Sequence, residues 1–171
     1  AQLAPLDMSF DAWFYHPQMP ELTDLAQAFP ETPIVMDHVG APLGIGPYKG
    51  LRDEIFSQWS ANVTALAKCS NVYVKLGGLA MKLTGFGHHK LDVPPSSEVL
   101  AGDWKPYLMH CIEAFGPERC MFESNFPVDK ASCAYTTLWN AFKRLTADFS
   151  ASDKAALFHD TATRFYRIEE A

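Results

Sequence analysis

No run of about 18 or more apolar residues occurs in the 171-residue chain, so no segment reads as a membrane-spanning helix. Positive charge is scarce: 14 Lys and Arg stand against 20 Asp and Glu, and the net charge of -6 argues against a nucleic-acid partner. The four cysteines, Cys69, Cys111, Cys120 and Cys133, form no C-x-x-C pair and match no zinc module. Scattered thiols of this kind are small buried hydrophobes in a reducing compartment, so a cytoplasmic, disulfide-free protein is expected. The N-terminal AQLAPLDMSF has neither a basic region nor an apolar core, and no signal peptide is expected. It lacks an initiator Met, and the expectation is a processed chain or a fragment of something longer. No G-x-S-x-G elbow and no P-loop is found. The nearest approach to a nucleotide loop is Gly44-x-Gly46-x-x-x-Gly50, whose last spacing is one residue too long. Pro47 inside it removes an N–H that a pyrophosphate would need, which rules out a Rossmann reading.

What is present is a repeated pattern. Hydrophobic residues make up 48% of the chain, enough for one globular domain over 1–171. A short apolar run followed by a helical stripe occurs four times. Phe10 to His16 precedes a helix opened by Pro20, with Leu22, Leu25, Ala26 and Phe29 on its face. Ile34 to Met36 ends in Asp37-His38, and a Gly/Pro-rich loop leads to Ile55, Phe56, Trp59, Val63, Leu66 and Ala67. Val72 to Leu76 ends in Gly77-Gly78, and the next helix shows Tyr107, Leu108, Cys111, Ile112 and Phe115. Cys120 to Glu123 is followed by Tyr135, Leu138, Trp139, Phe142 and Leu145, and Ser150-Ala151-Ser152-Asp153 resembles a capping box. Strands alternating with helices give a parallel sheet, either an open doubly wound one or a (β/α)₈ barrel. Four units are few for the first and half of the second, which needs roughly 250 residues.

In parallel α/β folds chemistry gathers at the carboxyl ends of strands. Each run here carries polar groups at that end: His16, Asp37-His38, Lys75, then Glu123 and Asn125. The strand period of two puts Ile34, Met36 and His38 on one face, Tyr73 with Lys75 on another, and Met121, Glu123 and Asn125 on a third. If these faces point inward, the polar groups converge on one mouth. Plainer roles compete with this. A strand-end histidine is often structural, and Lys75 has an obvious salt-bridge partner in Glu123 on the neighbouring strand. His88 and His89 read as rim residues of a loop, and His110 and His159, in helical stretches, receive no role.

The segments F-Y-H-P-Q-M, I-V-M-D-H-V-G-A-P, V-Y-V-K-L-G-G, E-R-C-M-F-E-S-N-F-P-V-D-K and T-A-T-R-F-Y-R-I together resemble the amidohydrolase-related family. These are TIM-barrel, metal-dependent hydrolases that include lactonases, with decarboxylases as relatives. The resemblance implies that the runs are strands five to eight, the C-terminal half of a barrel. It implies a divalent metal, zinc or manganese, with His38 and His16 as ligands. His38, Asn125 and Asp129 would be catalytic, and His16, Lys75 and Glu123 would hold substrate. Asn125 stands where the family carries an aspartate that ligates metal and activates water, and the first-strand H-x-H pair is absent, which weakens the metal expectation. A carboxamide cannot accept a proton near neutral pH, leaving Asp129 or Glu123 as the carboxylate within reach. The expected activity is a hydrolase opening a lactone or similar cyclic ester, with a lactone or carboxylic acid as its small-molecule substrate. The alternatives are a metal-dependent decarboxylase on the same scaffold, or an inactive half-barrel. An open half-barrel exposes strand edges, so homo-oligomerisation or association with the missing half is expected.

Overall fold

A computed structural model describes residues 2–169. Its strands, β1 (Phe10–Ala12), β2 (Ile34–Met36), β3 (Val72–Leu76) and β4 (Cys120–Phe122), form one parallel sheet in sequential order. Ala12, Met36, Val74 and Cys120 stand in register across it. The crossovers are α1 (Met19–Ala28), α2 (Arg52–Leu66) and α3 (Ser97–Phe115), and α4 (Tyr135–Leu145) follows β4. This is the βα repeat of a (β/α)₈ barrel with half its strands. Two short helices, α5 (Ala151–Ala155) and α6 (Thr161–Tyr166), are joined by a π-helical turn and end the described chain. Ser150 caps α5 by accepting the Asp153 N–H. Among the described residues no helix is long and apolar enough to cross a membrane.

The two faces of the sheet are chemically distinct. Ala12, Ile34, Met36, Val72, Val74, Leu76, Cys120 and Phe122 turn toward the helices and join the main core with Trp59, Leu66, Leu108 and Phe142. The opposite face carries Val35 and Met121, packed under Phe165 of α6 and beside Tyr73, together with the polar Asp11 and Lys75. The sequence expectation placed Ile34 and Met36 on the inner face with His38, and that phase is wrong. His38 (φ 56) and Val39 (φ 49) are left-handed, so the period of two stops at Met36. The turn Asp37–Gly40 then swings His38 over to the carboxylates of the other face.

The first strand is also shorter than its apolar run. Pairing with β2 ends at Ala12, and His16–Gln18 form a 3₁₀ turn that Pro17 suits, before α1 starts with Pro20 in its first turn. β1 and β4 are the sheet edges. Along the β1 edge Met8, Phe10, Trp13 and Leu25 are exposed. The first and last described segments meet: Arg167 Nη1 donates to the Asp7 carbonyl at 2.7 Å, and Tyr166 donates its hydroxyl to Asp11 Oδ2 at 2.8 Å.

Candidate active site

Beyond the strand ends a polar contact joins His38 to Glu123, whose carboxylate Oε1 accepts from Nδ1. The turn that aims His38 is strained. Four consecutive residues, His38 to Ala41, have positive φ, including β-branched Val39, for which that region is a genuine outlier. Surrounding contacts hold it there. Trp59 Nε1 donates to the Val39 carbonyl at 2.7 Å, and Ala41 N–H donates to the His38 carbonyl at 2.9 Å. Two glycines make room for the pair. A Cβ on Gly78 would lie 2.6 Å from His38 Cβ, and one on Gly77 would lie 2.4 Å from Glu123 Cγ. That is the physical meaning of the V-K-L-G-G segment, a signal present in the sequence but without an assigned role there. Burial works to lower the His38 pKa, but the hydrogen bond and charge of Glu123, aided by Asp37 and Asp129, outweigh it and raise the value above 6.5.

Next to this pair, Asn125 Nδ2 donates to Asp129 Oδ1 at 2.9 Å. Asn125 is left-handed (φ 51), a conformation Asn tolerates better than most residues. Asp129 is 0% exposed, and its Oδ2 has no hydrogen-bond partner among the described residues. Burial pushes its carboxyl up to about 7, although the Asn125 amide, the Ala80 backbone and the charge of His38 pull the other way. A carboxyl of that pKa exchanges a proton near neutrality.

Lys75 does not pair with Glu123 as its sequence position suggested. Its Nζ lies 2.8 Å from Asp11 Oδ2 and 2.9 Å from Asp37 Oδ1, because β2 and β1 lie on the side of β3 that its side chain follows, while Glu123 is taken by His38. Burial lowers the Lys75 pKa, but the bonds to Asp11, Tyr166 and Asp37 more than reverse this and raise it well above 10.5, so the ammonium stays charged. Sequence reasoning missed Asp11, and named Asp37 at its strand end without pairing it with Lys75. Asp37 was visible as the neighbour of His38, and Asp11 shows no signal beyond its place in the first run.

His16 is 0% exposed, and its backbone N–H donates to the carbonyl of Ala41 at the end of the His38 turn, at 3.4 Å. Its Nδ1 accepts the Leu43 N–H at 3.1 Å and its ring packs edge-on to Tyr48. Burial lowers its pKa, so the ring is neutral, and an accepting Nδ1 places the proton on Nε2. A protonated Nε2 does not ligate a cation. His88, read as a rim residue, is instead buried, stacked on Phe86 and bonded through Nε2 to Asp103 at 2.8 Å. Among the described residues no group of three or more His, Cys, Asp or Glu converges as a metal site. The Glu123 contact leaves His38 Nε2 free as one donor, but with His16 Nδ1 accepting from Leu43 these residues do not supply a full zinc or manganese ligand set on their own.

The amidohydrolase family model matches residues 1–168. An uncharacterized protein of Sinorhizobium fredii is 38% identical over 167 residues, covering 98% of this chain and 50% of its own length. L-fucono-1,5-lactonase of Burkholderia multivorans is 26% identical over 172 residues, covering 99% of this chain and 55% of its own. A crystal structure of an amidohydrolase from Burkholderia multivorans with bound HEPES superposes with a TM-score of 0.84 at 25% identity, over 98% of this chain and 55% of that one. A second crystal form of that amidohydrolase, with bound zinc, gives a TM-score of 0.82 at 25% identity, over the same shares of the two chains. The chain spans about half the length of the curated relatives it matches. With four βα units in barrel order and this match over nearly its whole length, the chain belongs to the amidohydrolase family.

Proposed function

We propose that this chain supplies the proton-transfer groups of a hydrolase that opens a lactone or similar cyclic ester by water attack. The observation that carries the reading is the strained left-handed turn that aims His38 at Glu123. A fold does not keep four positive-φ residues in a row, at a cost of order 1–3 kcal/mol for each strained one, without a use for the side chain they direct.

In the proposed mechanism Glu123 accepts from His38 Nδ1–H and so fixes the tautomer with a lone pair on Nε2. Nε2 takes a proton from water as the water oxygen bonds to the lactone carbonyl carbon. The tetrahedral intermediate collapses, the ring C–O bond breaks, and the imidazolium returns its proton to the departing oxygen. The product is a hydroxy acid. Asn125, its Nδ2 committed to Asp129, presents its carbonyl oxygen to orient the water. Asp129, poised at about 7, sets the charge beside the pair and takes the proton the product acid releases. Lys75 acts through Asp37, holding the entry to the His38 turn, rather than as a direct substrate anchor. A zinc or manganese ion would need further ligands from outside these residues. The four strands are read as strands five to eight of a barrel whose other strands correspond to the half of the longer relatives that this chain does not span.

The test is a pH-stat assay of the protein carrying this chain on a panel of aldonolactones, with the products identified by NMR. Stoichiometric carboxylate is the expected outcome, and His38→Asn should lower the rate by about 10²–10⁴-fold. Carbon dioxide release from an unsaturated acid in its place would favour the decarboxylase. Turnover of neither substrate class would leave the inactive half-barrel.

A further inference from the structure

The Gly44-x-Gly46-x-x-x-Gly50 loop, unsuited to a dinucleotide, frames a cavity of about 210 Å³ against the loop after β3 and helix α3. Its polar lining is Tyr48, Lys49, Arg52, Tyr107 and the Thr84 region, and none of the proposed catalytic residues contributes to it. The loop is shaped for this. A Cβ on Gly44 would lie 2.3 Å from the Thr84 carbonyl oxygen, and one on Gly85 would lie 2.4 Å from the Gly44 carbonyl oxygen, so the two loops can close the floor only as glycines. His16 buttresses the same wall from behind, fixed to the Leu43 N–H and packed on Tyr48.

Arg52 is the centre of the cavity's chemistry. Its guanidinium lies 4.1 Å over the Phe86 ring, and it donates to Tyr107 Oη and to the Thr84 carbonyl through two long bonds of 3.3 Å. Five N–H donors in a rigid fork leave several uncommitted. Tyr107 is 4% exposed and accepts from Arg52, so its own hydroxyl proton has no acceptor among the described residues and remains for a ligand. Lys49 adds a second cation at the rim. Helix α2 starts at Arg52 with no side-chain cap, which sets the positive end of its dipole at the same wall. A guanidinium laid on the Phe86 ring, a buried hydroxyl donor, a rim ammonium and a nearby carbonyl acceptor match a bidentate carboxylate that also carries a hydroxyl.

The geometry points to a second binding site in this cavity, outside the His38–Glu123 site, that takes a small hydroxycarboxylate. Sodium glycolate and inorganic phosphate, titrated separately into the intact chain at constant ionic strength, test it by calorimetry or amide-shift NMR. Saturable glycolate binding is expected, weakened about tenfold or more by Arg52→Gln and several-fold by Lys49→Gln. Lys49→Gln alters an exposed side chain and should leave the melting temperature unchanged, so its effect cannot be ascribed to unfolding. His38→Asn should bind glycolate as the unsubstituted chain does. Absence of saturable binding, binding of phosphate alone, insensitivity to both cavity substitutions, or loss with His38→Asn would each overturn the assignment.

Discussion

Replacing Asp129 by Asn should change how folding stability depends on pH, with little effect on the fold's shape. Asn is the isostere of the protonated acid and can still accept from Asn125 Nδ2 through its Oδ1. In the folded chain the Asp129 pKa lies at about 7, against 3.8 for the free side chain. Between those values the unfolded chain has given up a proton that the folded chain keeps, so this group makes stability fall as pH rises. The contribution is fully present below about 4 and gone above about 7. The rise from 3.8 to about 7 is worth about 4 kcal/mol, a large share of the net stability of a domain this size. The Asn variant has no proton to lose at this position. Its stability relative to the unsubstituted chain should therefore climb by about 4 kcal/mol between pH 4 and pH 8, since titrating groups that do not interact with Asp129 cancel in the difference. Urea denaturation at half-unit pH steps measures it. Parallel stability curves for the two chains, or a difference that shrinks with pH, would refute the reasoning from burial.

Gly78→Ala sets a Cβ 2.6 Å from His38 Cβ at a φ of 70 and should cost about 2–4 kcal/mol, whereas Gly87→Ala, at φ 79 with nothing within 4 Å, should cost only about 1. Equal losses in chemical denaturation would show that His38 does not press on that backbone. Lys75→Met leaves the half-buried Asp37 and the more exposed Asp11 without their cation and should cost about 2 kcal/mol, part of it recovered in thermal melts when Asp37→Asn is added. A double variant no more stable than Lys75→Met alone counts against the ion pairs. Glu123→Gln keeps an acceptor for His38 Nδ1–H but removes the charge that helps hold the His38 pKa above 6.5, so burial acts against a weaker opposition. The acidic limb of the pH profile of kcat/KM should move to lower pH, and an unmoved limb means that His38 is not the titrating base.

The repeat of strand and helix was legible because it rests on local patterns that the tertiary structure does not override. Ile34–Met36 and Val72–Leu76 were read at their observed bounds, as were the buried stripe of α2 and the Ser150 cap. The nearness of His38, Glu123 and Asn125 was legible from their places just beyond strand ends, whereas Asp129 lies on the loop that follows and entered through the family resemblance. What failed is instructive. The alternation rule was carried through Asp37 and His38, where the backbone turns left-handed, and no residue there advertises such a turn: Val39 is among the last that would. Lys75 and Glu123 were paired because they lie on neighbouring strands. Which of two adjacent strands a long side chain reaches is set by strand register and by competition from His38, and neither is written locally.

The contact between the first and last described segments constrains the order in which this sheet is assembled. β1 pairs with β2, β2 with β3 and β3 with β4, so each strand docks on the one made just before it and the sheet grows as the chain emerges. The inner face cannot be sealed that way. Val35, Tyr73 and Met121 wait for Phe165, and Asp7 and Asp11 wait for Arg167 and Tyr166, partners some 155 to 160 positions away. Such distant contacts carry the largest loop-closure entropy, so they form last. Until Phe165, Tyr166 and Arg167 dock, that inner face stays open to solvent. Stalling or truncation just before Phe165 would trap a sheet with all four strands in place and one side still bare.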